Sequence, residues 1–91
     1  MNKSELVEAV HAKLGGTKKA AEEAVNAFVD VVTNELSTGN RVQLVGFGTF
    51  EVRSRAARKG RNPQTGEEMR IPASKAPVFK AGKHLKDVVN N

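Results

Sequence analysis

The chain has 91 residues and no cysteine, so it suits one small domain held by packing or association, with neither a disulfide framework nor a thiolate metal site, in a reducing compartment. No run of about eighteen apolar residues exists, and Met1-Asn2-Lys3-Ser4 leads into an amphipathic segment instead of a signal-peptide core, which excludes a membrane-spanning helix and makes the cytoplasm the expected location. The net charge of +5 is unevenly placed: residues 1–52 hold five bases against seven acids, and residues 53–91 hold ten bases against three acids, so the second half faces a polyanion.

From Lys3 to Leu14 the residues Leu6, Val7, Val10 and Leu14 recur at helical spacing, with Asn2 as N-cap and Glu5 three residues on, as in a capping box. Gly15-Gly16 closes this helix. Thr17 caps a second one whose apolar line is Ala21, Ala24, Val25, Phe28, Val32 and Leu36, ending at Gly39-Asn40. A short turn between them makes an αα-hairpin.

After Asn40 the period changes to two. Val42 and Leu44 share a face, and after Gly46-Phe47-Gly48 so do Phe50 and Val52, which reads as a sheet over two helices. Gly46-Phe47-Gly48 resembles a fragment of a phosphate loop, but it precedes a strand and is read as a tight turn. His11 and His84 have no spaced partner and are read as surface residues; no metal site, cofactor site or catalytic constellation is visible.

Residues 53–75 cannot be core, because they hold seven bases and only Met69 and Ile71 as large apolar residues. Within them Asn62-Pro63-Gln64-Thr65-Gly66 is a turn: Asn62 suits its first position, Pro63 presets φ at the second, and Gly66 can take the left-handed conformation that rejoins the return strand. Residues 53–61 and 67–75 are therefore a two-stranded ribbon, with Gly60 and Pro72 expected at bulges or edges. Nine residues at about 3.3 Å each reach roughly 30 Å, so this is an arm, expected to be mobile when free. Last come Val78-Phe79 and a short helix with Leu85, Val88 and Val89 on one side.

An isolated ribbon without an apolar face exists for what it binds. Arg53, Arg55, Lys59 and Arg61 recur mostly at two-residue spacing and would track a phosphate backbone. Pro63 at the tip has the character of a wedge for a base step in the minor groove. Against this stand a solvated charge run and a proline that only makes a turn. With the arm set aside, Phe28, Leu36, Leu44, Phe47, Phe50 and Phe79 load the small body with more apolar surface than it covers alone, which argues for a dimer over an ordinary monomer core.

Gly46-Phe47-Gly48-Thr49-Phe50-Glu51-Val52-Arg53, the run from Ala56 to Glu67, Ile71-Pro72-Ala73-Ser74 and Phe79-Lys80-Ala81-Gly82-Lys83 resemble the signature of the HU and integration host factor family. The resemblance covers essentially the whole chain. It implies an α+β fold: a two-helix base (1–39), a three-stranded antiparallel sheet (40–52 and 76–82), a long β-ribbon arm (53–75) and a C-terminal helix (83–91). It further implies an intertwined homodimer, with Phe28, Val32, Leu36, Leu44, Phe47, Phe50 and Phe79 in its core or interface, and arms that wrap the minor groove. The tip proline maps onto Pro63 and the arm bases onto Arg53, Arg55, Arg58, Lys59, Arg61, Arg70 and Lys75. Lys3, Lys80, Lys83 and Lys86 map to flanks of the body. Asn62, Gln64, Thr65, Gly66 and Ile71 are further candidate DNA contacts. Three positions depart from the common pattern: Gly16 stands where an apolar residue is usual, Arg70 where relatives carry an acid, and Ala81 where proline is frequent.

The expected function is architectural binding and bending of double-stranded DNA in the nucleoid, with bent, nicked or junction DNA preferred, no small-molecule substrate and little sequence preference. Phosphate contacts carry no sequence information, and the minor groove reports mainly A·T against G·C. The nearest rival is a sequence-specific subunit like integration host factor. A single-strand or RNA-binding module lacks stacking platforms here, since Tyr and Trp are absent and all four Phe lie in the body. A membrane-surface protein would place its bases on a helix with a large apolar face.

Overall fold

Two capped helices open the chain. In the computed structural model, which describes all 91 residues, α1 spans Lys3–Leu14 and begins where the Asn2 side-chain oxygen accepts the Glu5 N–H at 2.9 Å. Its end is closed by the Gly15 N–H donating to His11 O at 2.9 Å. The His11 ring adds a second tie across the turn, its Nε2 lying 2.9 Å from Gly16 O. Helix α2, Lys18–Ser37, starts at Thr17, whose hydroxyl accepts the Ala20 N–H at 3.1 Å. Apolar residues at helical spacing meet where the two helices cross: Val7, Ala21 and Val25 are buried together with Val10 packed beside them.

Strands follow in the order expected from the change of period: β1 Val42–Leu44, β2 Gly48–Arg55, β3 Arg58–Arg61, β4 Glu68–Ile71 and β5 Ser74–Ala81, then α3 Lys83–Val89. Val45-Gly46-Phe47 is the tight turn between β1 and β2, with Gly48 opening β2 opposite Leu44, and it is fastened by the Phe47 N–H donating to Leu44 O at 2.9 Å. β1, β2 and β5 form an antiparallel sheet in that spatial order, and β3 and β4 pair in a separate two-stranded sheet.

The main sheet is longer than residues 40–52 and 76–82. The β2–β5 register runs on through Arg53↔Ala76, Ser54↔Lys75 and Arg55↔Ser74, so the root of the arm is part of the body. Both strands then break at the same level, at Ala56-Ala57 and Pro72-Ala73. Pro72 lies at this break as expected, having no N–H to give a ladder. Gly60 marks no bulge: it lies in regular register opposite Met69, inside β3, which is itself an edge strand of the two-stranded ribbon. A Cβ there would stand 2.9 Å from Ile71 Cδ1, so glycine leaves room for the Ile71 side chain to cross the ribbon.

What the body lacks is a closed core. Only five of the 91 residues are buried, and the radius of gyration is 18.9 Å, against about 12 Å for a compact chain of this length. The four phenylalanines form a chain of rings, Phe28 to Phe50 at 6.4 Å, Phe50 to Phe79 at 4.8 Å and Phe79 to Phe47 at 5.2 Å. Yet Phe28, Phe47 and Phe79 remain 48, 44 and 40% exposed. Leu36 and Leu44 are half-buried, and Val32 is buried. The aromatic load read from the sequence is thus assembled but left open on one side.

Candidate nucleic-acid interface

Successive side chains of a strand point to opposite faces, and residues paired across an antiparallel ladder share a face. The β2–β5 register therefore sorts the main sheet into two surfaces. Phe50, Val52, Pro77 and Phe79 share the inner one, which meets α2: Phe50 packs edge-on to Phe28, and Val52 and Pro77 line a cleft with Thr33 and Leu36. Thr49, Glu51, Arg53, Arg55, Ser74, Ala76, Val78 and Lys80 occupy the outer surface, where Arg53, Arg55 and Lys80 are exposed.

This sorting separates bases that the sequence placed together. Lys75 pairs with Ser54 and lines the cleft beside Leu36 and Ser37, on the helix side of the sheet, away from Arg53 and Arg55. The resemblance maps Lys75 among the arm bases with those arginines, and the register puts it on the opposite face of the sheet from them.

The distal ribbon is sorted in the same way. Lys59↔Arg70 and Arg61↔Glu68 put three bases and one acid on one face, and Arg58↔Ile71 and Gly60↔Met69 put one base and an apolar stripe on the other. The arm is thus two-faced, with charge on one side and Met69 and Ile71 on the other. An arm with no apolar face was expected; the alternation that hides this stripe in the sequence becomes visible only once the register is known.

At the tip, the Asn62 N–H donates to Glu67 O and the Gly66 N–H to Asn62 O, both at 2.8 Å, while Asn62 Oδ1 accepts the Gln64 N–H at 2.9 Å. The Thr65 hydroxyl accepts the Glu67 N–H at 3.3 Å. Gly66 holds φ at 74°, the left-handed value expected of it. Closure thus falls between Asn62 and Gly66, one residue wider than a β-turn, and Pro63 stands exposed at the end of the ribbon.

Lys83 and Lys86 lie three residues apart on α3 and so on one face of it. Lys3 sits in the first turn of α1, beside a shallow cleft shared with Ser4, Lys18 and Glu22. Of the ten bases in residues 53–91, only Lys80 has a carboxylate within ion-pair distance, Glu51 Oε1 at 3.1 Å. The other nine are uncommitted and available to an external anion. Glu51 is what the sequence reading passed over: counted among the acids of the first half, it belongs by strand parity to the same face as Arg53 and Arg55.

Comparison with known proteins agrees with this geometry. The chain matches the family model described as bacterial DNA-binding protein over residues 1–90. It is 64% identical over 89 residues to the DNA-binding protein HU of Geobacillus stearothermophilus, covering 98% of this chain and 99% of the relative. It is 62% identical over 88 residues to the HU protein of Lactococcus lactis, covering 97% of each. Among solved structures, an Anabaena HU–DNA cocrystal superposes with a TM-score of 0.89 at 49% identity, covering 98% of this chain and 97% of that one. With one fold and one signature spanning nearly every residue, the chain belongs to the bacterial DNA-binding protein family whose named members here are the histone-like HU proteins.

Proposed function

We propose that two copies of this chain form a dimer that grips and bends double-stranded DNA within the nucleoid, with little regard to base sequence. The observation that carries the reading is the sorting of seven of the nine unpaired bases onto the outer sheet face (Arg53, Arg55), the charged side of the ribbon (Lys59, Arg61, Arg70) and the flank at α3 (Lys83, Lys86). Such a surface takes phosphates from any sequence. The apolar stripe of the ribbon suits the sugar walls of a minor groove, with Pro63 at the tip as a wedge between base pairs. The open ring chain supplies the reason for two copies, since half-exposed Phe28, Phe47 and Phe79 are best covered by the same patch of a second chain. Similarity to a solved HU–DNA complex at 49% identity supports DNA as the partner, and the absence of Tyr and Trp, with all four Phe in the body, disfavours a single-strand binder.

Binding to linear, nicked and four-way-junction DNA, each at two salt concentrations, tests this directly. The expected result is tighter binding to the nicked and junction forms, a steep loss of affinity with salt on all three, and equal affinity across unrelated linear sequences. A strong preference for one linear sequence would favour the site-specific reading instead.

A further inference from the structure

The outer sheet face carries one carboxylate among its bases. Glu51 lies opposite Val78, two residues from Arg53 along β2 and diagonal to Lys80 across the ladder. Its side chain is 21% exposed, and that of Lys80 is 59% exposed. The contact is an ion pair by distance, 3.1 Å, yet Glu51 Oε1 is sealed from solvent with no well-directed hydrogen bond. The lysine therefore approaches it off-axis, on a flexible stem whose head stays in water. This pair is loose at its lysine end and fixed at its carboxylate end.

We infer that Glu51 is an affinity-limiting residue, which competes with phosphate for Lys80 and makes that contact an exchange of partners. The inference rests on the proposed duplex binding at this face. Where a free lysine meets DNA, the phosphate sheds a condensed cation and affinity gains the corresponding salt dependence. At Lys80 the phosphate must first draw the ammonium from Glu51, and the carboxylate left behind faces the polyanion without a partner. Arg53 and Arg55, on the same face and unpaired, contribute in full. Attenuation of this kind keeps a sequence-neutral binder exchangeable along DNA.

The test is a double-mutant cycle on the full-length protein with linear duplex DNA across a salt series. Glu51→Gln keeps the shape and removes the charge. It is expected to tighten binding by about three- to tenfold and to steepen the slope of log K against log salt by about one unit per protomer. In the Lys80→Gln background the same change should tighten binding less than about twofold, because only long-range repulsion is then relieved. Weaker or unchanged binding by Glu51→Gln, or an equal gain in both backgrounds, overturns the proposal. Should Glu51→Gln unfold the protein, a second comparison decides: Lys80→Gln must flatten the slope by clearly less than Arg53→Gln, and equal flattening overturns it. A flat salt response of the unmodified protein would instead defeat the duplex-binding reading itself, whereas a steep response with no effect of Glu51 defeats the pairing alone.

Discussion

The helical hairpin and the ribbon arm use charge and burial in opposite ways. In the hairpin, acids slightly outnumber bases, and structure comes from caps and from packed Val7, Ala21 and Val25. In the distal ribbon no residue is buried and bases dominate, so its shape comes from the ladder and from the hydrogen bonds around Asn62. In the proposed function the hairpin supplies apolar surface for self-association, and the arm a charged surface for DNA. Their difference teaches that damage to one should be readable without damage to the other.

The largest effect is expected where the hairpin meets the sheet. Phe50 joins Phe28 to Phe79, and Phe50→Ala should cost about 3–5 kcal/mol, enough to unfold much of the protein at low concentration. Unfolding followed by circular dichroism should also show the midpoint of the unmodified protein rising with concentration, as association linked to folding requires. A concentration-independent midpoint together with a monomer mass in solution would break the dimer.

Next come the arm's bases. The unmodified dimer should show a salt slope of about −5 to −9 on duplex DNA if six to ten phosphates are neutralised. Arg61→Ala should flatten that slope by about two units per dimer with no change in the unfolding midpoint. Lys75→Ala sharpens the contrast, because Lys75 lies on the helix side of the sheet: its slope should change by less than that of Arg53→Ala, measured on the same duplex.

Pro63→Ala separates shape from charge. Every base stays in place, so the salt slope should hold, while ring closure of short DNA should fall several-fold because alanine does not hold a base step open against a few kcal/mol of unstacking. Ring closure equal to that of the unmodified protein would reduce Pro63 to a turn residue. The smallest effect is expected from Thr17→Ala, which removes the N-cap of α2 and should cost about 1 kcal/mol of stability with no change in DNA affinity.

Much of this was legible in the residues. Asn2, Thr17 and Gly15 announce helix ends because capping is local chemistry, and Val42, Leu44, Phe50 and Val52 announce strands because alternation is local too. The turn at Asn62–Gly66 was legible for the same reason. Registers were not: nothing near Lys75 says that it pairs with Ser54 and turns toward α2, and nothing near Gly60 says that Ile71 crosses it. Those facts depend on which residue of a distant strand lies opposite, a property of the whole ladder. The Glu51–Lys80 pair was hidden by the same cause, with its members far apart in sequence and diagonal across two strands.

Pro77 illustrates what the register adds. β5 is an outer strand of the main sheet, and Pro77 sits opposite Val52 in the middle of it. Having no N–H, it leaves a gap in the row of donors that an outer strand offers to a foreign strand. Lysines flank it at positions 75 and 80. A stranger's backbone laid along this edge would lose a hydrogen bond at its centre and meet positive charge on either side. Wherever many copies crowd together, this guards against edge-to-edge aggregation, and neighbours meet as separate molecules instead of fusing into a continuous sheet.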